Sequence, residues 1–100
     1  MRTSLSISVA CMIALVAPLP GAMADPSGSV TADGATGECA ATGAGDLNTQ
    51  WHFTCYSGSN VANNDGTGVA YAKTLRVVSN GCVTAVLSAN GVEIDNRTMC

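Results

Sequence analysis

Positive charge is scarce in this sequence. Its 100 residues include four Lys and Arg against seven Asp and Glu, which gives a formal net charge of −3 at pH 7. A surface with so few cations is repelled by the phosphates of nucleic acids and by anionic lipid head groups. We therefore expect no nucleic-acid partner and no binding to a membrane surface.

Side chains suited to catalysis are equally scarce. His52 is the only histidine, and a serine or threonine nucleophile usually needs a histidine base. Because His52 lies in no catalytic motif, we interpret it as a surface side chain. Glu93 and Asp95 would share one strand face, where neighbouring acids more often protect an edge than hydrolyse glycosides. The sequence predicts that the protein is not an enzyme and has no catalytic residue.

Motifs for metals, phosphates and cofactors are also missing. There is no Cys-x-x-Cys pair. With Gly66 aligned to the invariant glycine of a calcium loop, Val61 and Ala72 fall where carboxylates are required. The Gly-x-Gly sequences at 43–45 and 66–68 lack the strand-to-helix context of a phosphate loop. We expect no bound metal ion and no cofactor.

The only long apolar run is at the start of the chain. Arg2 is followed by apolar residues 5–17, by Pro-Leu-Pro-Gly at 18–21 and by Ala-Met-Ala at 22–24. A positive residue, a short apolar core and a small-x-small cleavage site are typical of a secretory signal peptide and not of a membrane span. We predict that residues 1–24 are removed and that the mature protein is secreted and extracellular.

Removal of the signal peptide would take Cys11 with it. Four cysteines then remain, Cys39, Cys55, Cys82 and Cys100. Four cysteines in a short exported chain predict two disulfides, and their spacing leaves all three pairings open. The remaining chain suffices for a single domain with a thin core, which disulfides stabilise by about 2–4 kcal/mol each.

The apolar residues of the mature chain alternate with the period of β-strands. Residues 49–56 place Trp51, Phe53 and Cys55 on one face, which we expect to be the core. No stretch has the period of a helix. The sequence therefore predicts an all-β domain, which we place at residues 38–100.

The second half of the chain contains two Asn-Gly pairs. Asn80-Gly81 separates the β-rich runs 75–78 and 83–87, and Asn90-Gly91 follows the second run. Asn-Gly between alternating segments is a strong hairpin signal, because both central residues of the turn need a positive φ.

Two segments are predicted to be irregular. Residues 25–37 are rich in Gly, Ser, Ala and Thr, with Val30 as the only large apolar residue, and are interpreted as a flexible leader. Residues 57–68 are interpreted as a long polar loop. Asn96 begins an Asn-Arg-Thr sequon and is a candidate glycosylation site if the host is a eukaryote.

The cysteine frame resembles that of the MAX effectors, proteins secreted by plant-pathogenic fungi. The resemblance covers residues 38–100 and lies in the cysteine spacing, in the turn-cysteine sequence at 79–82 and in the tail at 89–100. It implies a disulfide-stapled sandwich of two three-stranded antiparallel sheets, with Cys39 paired to Cys82 and Cys55 to Cys100.

The same resemblance implies a function. MAX effectors are virulence proteins without common catalytic residues, so it implies a monomeric, host-associated protein that binds a host plant protein, with immune receptors among the candidates. For this hypothesis we expect contact through an exposed strand edge, the loop 57–68 and Asn80-Gly81.

The alternative is a secreted inhibitor of a hydrolase, similar to the small two-disulfide α-amylase inhibitors. Those proteins also have four cysteines, with an aromatic-basic-aromatic triplet near the second one. Here Trp51-His52-Phe53 lies close to Cys55. This alternative predicts sequential pairing, the first cysteine with the second and the third with the fourth.

Overall fold

The computed structural model describes residues 25–100, and the predicted signal peptide, residues 1–24, lies outside the described residues. The described chain contains seven β-strands. In chain order they are β1 (Ser27–Ala32), β2 (Glu38–Ala44), β3 (Gln50–Ser57), β4 (Asn60–Thr67), β5 (Ala70–Arg76), β6 (Val83–Ala89) and β7 (Val92–Met99).

The strands form two antiparallel sheets that enclose one core. The first sheet has the order β1-β2-β5 and the second the order β4-β3-β6-β7. The predicted all-β, disulfide-stapled sandwich is confirmed. Its second sheet has four strands in place of the three that the resemblance implied. Two of the seven strands, β1 and β4, lie in segments that composition predicted to be irregular.

β1 lies within residues 25–37, so the predicted flexible leader is part of the domain and the predicted boundary at residue 38 was wrong. β1 pairs with β2 along its whole length. Val30, the only large apolar residue of the segment, is buried between the sheets. Composition missed this strand because a single buried side chain creates no visible alternation.

A tight turn connects β1 to β2. The carboxylate of Asp33 accepts hydrogen bonds from the backbone N–H groups of Ala35, at 2.8 Å, and Thr36, at 3.2 Å. These two bonds lower the pKa of Asp33, because they favour its ionised form. The turn is therefore ordered by a charged side chain at the surface.

β3 and β4 form a hairpin whose turn and second strand lie within residues 57–68, where a long polar loop was predicted. Gly58 and Ser59 are the turn, and Ser57 and Asn60 are register partners. Gly58 has a φ of 60°, which suits the first central position of a type II′ turn. The loop prediction was wrong because Asn, Asp and Gly are poor strand formers on average, whereas β4 is an edge strand with little need for apolar side chains.

Only one of the two Asn-Gly pairs closes a hairpin. Asn90, with a φ of 53°, and Gly91, with a φ of 81°, connect β6 to β7 as predicted. Asn80 and Gly81 instead lie where the chain crosses from β5 in one sheet to β6 in the other. The hairpin predicted there was wrong because local turn chemistry does not decide whether the flanking strands pair with each other.

The core is centred on Trp51 and Phe53, as the alternation of β3 predicted. The ring of Tyr71, from the opposite sheet, stacks on Trp51 at a centroid distance of 5.8 Å and meets Phe53 edge-on at 6.4 Å. The indole N–H of Trp51 donates to the carbonyl of Gly68 at 2.9 Å. The other buried apolar residues are Val30, Cys39, Ala41, Cys55, Val77, Val83, Ala85, Leu87 and Ala89.

Trp51 packs closely against a glycine of the facing sheet. A Cβ atom at Gly43 would lie 2.5 Å and 2.7 Å from two carbons of the indole ring. Gly28, the register partner of Gly43 on β1, would place its Cβ 2.5 Å from the carbonyl oxygen of Thr42 and 2.9 Å from the Leu87 side chain. Larger residues at these two positions would push the sheets apart.

Two disulfides join the four cysteines in sequence order. Cys39–Cys55 is buried and links β2 in one sheet to β3 in the other, with its Cα atoms 5.9 Å apart. Cys82–Cys100 is exposed and links the segment before β6 to the residue after β7. Each bond closes a short loop, with sequence separations of 16 and 18, which stabilises the fold by about 3 kcal/mol.

The crossed pairing implied by the resemblance, Cys39 with Cys82 and Cys55 with Cys100, was therefore wrong. Cys39 and Cys55 lie on neighbouring strands of the chain that face each other across the core. Disulfides are typical of oxidising compartments, so the two bonds fit an extracellular protein. In the described part of the chain, no helix has the length and apolar character needed to cross a membrane.

Candidate functional site

The structure brings together the two segments predicted to contact a partner, residues 57–68 and Asn80-Gly81. The Ser57 hydroxyl oxygen lies 2.7 Å from Oδ1 of Asn80 and accepts the backbone N–H of Asn80 at 2.9 Å. Close by, Nδ2 of Asn60 donates to the carbonyl of Val78 at 3.1 Å. The start of β4 and the crossover before β6 thus form one surface at one end of the sandwich.

Three apolar side chains are exposed on this surface. Tyr56 and Val61 are direct register partners on β3 and β4, and their exposed fractions are 39% and 56%. Val78, in the crossover beside Asn60, is 75% exposed. Side chains of direct cross-strand partners contact each other, so Tyr56 and Val61 form a small apolar patch next to the sheet edge.

β4 is an edge strand with an open outer side. Ser57 and Asn60 close a two-residue turn and therefore form a hydrogen-bonded pair, and bonded and non-bonded pairs alternate from there along the ladder. Every second residue of β4 consequently points its backbone N–H and C=O away from β3. These residues, all exposed, are Val61, Asn63, Asp65 and Thr67.

Apart from the single charge of Asp65, β4 also lacks the features that usually protect an edge from pairing. Its eight residues, NVANNDGT, include no Pro and no Lys, and its register with β3 is continuous without a bulge. An unprotected row of backbone donors and acceptors is a template for an added strand. Together with Tyr56 and Val78, β4 (Asn60–Thr67) is called the edge surface below.

β7, at the other edge of the same sheet, is interrupted by a bulge. Leu87 is opposite Asp95 and Ser88 is opposite Glu93, so Ile94 is an extra residue. Leu87 is buried, so Asp95 lies on the inner face of the sheet and Glu93 on the outer face. The prediction that the two acids share a face was wrong, because the bulge reverses the alternation between them.

Asp95 uses this inward position to join the two sheets. Its Oδ2 accepts the backbone N–H of Val30, in β1 of the opposite sheet, at 2.8 Å. A backbone donor on the open side of β1 is thereby occupied by a carboxylate.

Polar side chains are connected across the outer face of β3 and β4. His52 and Asp65 are register partners, with Nδ1 of His52 2.5 Å from Oδ1 of Asp65. The hydroxyl of Thr54 lies 3.2 Å from Nε2 of His52 and donates to Oδ1 of Asn63 at 2.8 Å. A carboxylate, an imidazole and a hydroxyl in this order are the groups that activate a nucleophile in many hydrolases.

Two observations argue against such chemistry at this position. The Thr54 hydroxyl donates to Asn63 and not to the imidazole. The side chains of His52 and Asp65 are 53% and 81% exposed, so water surrounds the groups that a hydrolase would shield. The adjoining polar cleft of about 410 Å³, which extends to Gly91, is open to solvent.

The sequence did not predict the contact between His52 and Asp65. The available signal was the pair Gly58-Ser59: once these residues are recognised as a two-residue turn, the register of the hairpin places residue 65 opposite residue 52. The interpretation of residues 57–68 as a loop concealed this signal.

Tyr71 connects the edge strand to the core. Its hydroxyl donates to Oδ1 of Asn64 at 2.7 Å, and a Cβ atom at Gly66 would lie 2.9 Å from its ring. Burial, and then the negative charge of Asp65, raise the pKa of Tyr71, because both disfavour the phenolate. Tyr71 therefore holds β4 through side chains on its inner face, while the backbone edge of β4 that faces away from β3 stays unpaired.

The three side chains of the triplet Trp51-His52-Phe53 are not all exposed at the surface. Trp51 and Phe53 are buried and His52 alone is exposed, as expected for three consecutive residues of a strand. A partner could contact this triplet only through the imidazole.

Asn96, the candidate glycosylation site, is exposed on β7. Asn96 is opposite Val86 and Thr98 is opposite Thr84, so both sequon side chains lie on the outer face of the four-stranded sheet. The hydroxyl groups of Thr98 and Thr84 are 2.8 Å apart. Glycosylation of Asn96 stays a prediction.

Comparisons with protein-family models, with curated proteins and with solved structures give no match. The resemblance to the MAX effectors rests on the cysteine spacing, the turn-cysteine sequence at 79–82 and the tail at 89–100. Among residues 25–100, no group of three or more His, Cys, Asp and Glu side chains is placed to hold a metal ion.

Proposed function

We propose that this protein is a secreted, non-catalytic binding protein that recognises another protein through the edge surface. The observation that carries the proposal is the open backbone row of β4 beside the exposed side chains of Tyr56, Val61 and Val78. In strand addition, main-chain hydrogen bonds supply affinity and neighbouring side chains supply specificity. The edge surface combines both elements.

The rigidity of the surroundings favours this use of β4. Cys39–Cys55 fixes β3 to the opposite sheet, and Tyr71 holds β4 through Asn64. A surface that is already ordered loses little conformational entropy when a partner binds, so more of the contact energy appears as affinity.

A secreted hydrolase is the first partner class to test. The hydrolase-inhibitor hypothesis expected sequential disulfide pairing, and the bonds Cys39–Cys55 and Cys82–Cys100 agree with it. Because Trp51 and Phe53 are buried, an inhibitor built on this chain would use the edge surface and not the aromatic triplet.

A host plant protein, with immune receptors among the candidates, is the second partner class. The cysteine spacing and the tail at 89–100 support this effector hypothesis. The crossed disulfide pairing expected of it is not observed, so we rank it below the inhibitor hypothesis. Both hypotheses require secretion and both use binding without turnover.

The decisive experiment measures inhibition by the oxidised protein, residues 25–100, against a panel of secreted α-amylases, other glycosidases and proteases. Val61→Lys tests the edge surface. Val69→Lys is the matched control, because Val69 is 52% exposed against 56% for Val61 but lies in the turn between β4 and β5. We expect Val61→Lys to weaken inhibition at least tenfold and Val69→Lys to leave it unchanged.

If no hydrolase is inhibited, the inhibitor hypothesis is rejected and a photo-crosslinking amino acid decides the effector hypothesis. It is placed at Asn63 on the edge surface or at Thr42 on the exposed face of the other sheet, and the protein is incubated with host plant extract. A defined adduct from position 63 alone supports the edge surface. Equal adducts from both positions, or none, contradict it.

A further inference from the structure

We propose that the segment recognised by β4 is an extended strand that carries an apolar side chain and, four residues away, a lysine or arginine. This inference rests on the proposed function of β4 as an edge for strand addition. It adds the chemistry of the partner segment, which the proposed function leaves open.

The spacing of four follows from the outer face of β4. Val61, Asn63 and Asp65 alternate onto this face, because residues two apart on a strand point to the same side. In an added strand, the side chain opposite each of them lies on the same face, at a Cβ separation of about 4.5–5.5 Å. The residues opposite Val61 and Asp65 are therefore four positions apart.

The Val61 end of this row selects an apolar side chain. Tyr56 on β3 is the register partner of Val61, and both side chains are exposed. An apolar residue opposite Val61 would extend this patch by one strand and remove apolar surface of Val61 from water. A charged residue at the same place would lose hydration without gaining a partner.

The Asp65 end selects a cation. The next residues in this row are His52 on β3, Ser88 on β6 and Glu93 on β7. The row thus carries two carboxylates against one imidazole, and the Asp65 side chain is 81% exposed on the side where a strand would be added. A lysine or arginine opposite Asp65 is attracted by this charge, whereas an acidic residue there is repelled.

The test uses two nine-residue peptides of one composition, capped at both ends. In the first, Ile and Lys are four residues apart. In the second, Lys is moved by one position, so that it points to the opposite face of an extended strand. Binding to the oxidised protein is followed by titration of amide chemical shifts at peptide concentrations up to the millimolar range.

We expect the first peptide to shift the amides of β4 and to bind about threefold to fivefold more tightly than the second, as one opposite-charge cross-strand pair contributes. Asp65→Asn should remove this difference. Asp65→Lys should reverse it, so that a peptide with Glu in place of Lys binds better. Ser88→Ala, in the same row but away from the edge, is the matched control and should preserve the difference.

Each other outcome overturns the inference. Equal affinity of the two peptides, or no binding of either, contradicts the proposed spacing of four residues. The inhibition and crosslinking experiments test binding through the edge surface independently of this result. Asn63→Pro removes a free edge N–H. If it leaves peptide binding intact, the peptides do not add to β4, and that result contradicts the use of the edge as well.

Discussion

The two edge strands of the four-stranded sheet differ in the regularity of their pairing with the neighbouring strand. At β7, a bulge interrupts the alternation and Asp95 reaches across to occupy the N–H of Val30. At β4, eight residues pair with β3 in continuous register, and every second backbone unit faces outward. The pairing of β7 is thus irregular and directs a carboxylate to β1, whereas β4 presents a regular row of outward-facing backbone groups, and this contrast is the reason for placing the binding function at β4.

The two edges also differ in what fastens them. The end of β7 is fixed covalently, because Cys100 is bonded to Cys82. β4 has no covalent link of this kind and is fixed by its backbone ladder with β3 and by side-chain contacts, chiefly with Tyr71. Mutations that weaken these contacts should therefore separate the behaviour of the two edges.

The largest expected effect comes from Tyr71→Ala. Truncation removes a ring packed against Trp51 and Phe53 and should lower the free energy of unfolding by about 3–5 kcal/mol. Urea denaturation measures this loss. Amide hydrogen exchange should accelerate more in β4 than in β7, and equal acceleration in both strands would show that Tyr71 does not specifically hold β4.

A pair of proline substitutions tests the alternation of β4 directly. Ala62 is opposite Cys55 in a hydrogen-bonded pair, so Ala62→Pro should remove a ladder bond to a buried strand and cost about 2–3 kcal/mol. Asn63→Pro removes an N–H that faces outward and a surface side-chain bond to Thr54, and should cost below about 1 kcal/mol. Thermal unfolding of both variants measures the two losses of stability. A larger loss for Asn63→Pro than for Ala62→Pro would mean that Asn63, and not Ala62, is hydrogen-bonded to β3.

On β7, Asp95→Ala should have an intermediate effect. It leaves the N–H of Val30 without its carboxylate partner, at a cost of about 1.5 kcal/mol. Glu93→Ala is the matched control, since Glu93 lies on the outer face and should change stability by less than about 0.5 kcal/mol. Urea denaturation of both variants measures the difference, and equal losses would argue against a stabilising contact between Asp95 and β1.

Apart from Asn63→Pro and Glu93→Ala, which serve as comparison variants, the smallest effect concerns Tyr71→Phe, which keeps the ring and removes the hydroxyl bonded to Asn64. The expected loss is about 1 kcal/mol. Because burial raises the pKa of Tyr71 above its ordinary value of 10.0, the folded state favours the neutral phenol. This stabilisation is fully present below pH 10 and is lost as the pH rises through the folded-state pKa.

Urea midpoints measured from pH 8 to pH 12 check this dependence. The midpoint of the wild type should fall more steeply at alkaline pH than that of Tyr71→Phe. Parallel curves for the two proteins would mean that ionisation of Tyr71 is not linked to folding.

Much of the fold could be predicted from strong local signals. The alternation of Trp51, Phe53 and Cys55 identified the core face, and Asn90-Gly91 identified the hairpin between β6 and β7. These predictions succeeded because the information lies within a few residues and is strongly tied to one backbone conformation.

The edges could not be predicted in the same way. β1 buries only Val30, and β4 is composed largely of residues that disfavour strands, so tertiary pairing decides both. The pairing of Cys39 with Cys55 depends on which strands face each other across the core, and local spacing carries no such information. Residues 57–68 and Asn80-Gly81, which were predicted to contact a partner, lie together in the fold, and their use as a binding surface stays a prediction.

The close approach of Trp51 to Gly43, with Gly28 beside it, constrains how this sequence can diverge. Any side chain at position 43 meets the indole ring, and any side chain at position 28 meets the neighbouring backbone. Gly43 cannot be replaced by a larger residue while Trp51 is retained, and Gly28 cannot be replaced while the Thr42 backbone and Leu87 keep their positions. We expect Trp51 and Gly43 to be inherited as a pair even where loops lengthen and surface residues change, which makes this pair a better indicator of common ancestry than the distances between cysteines.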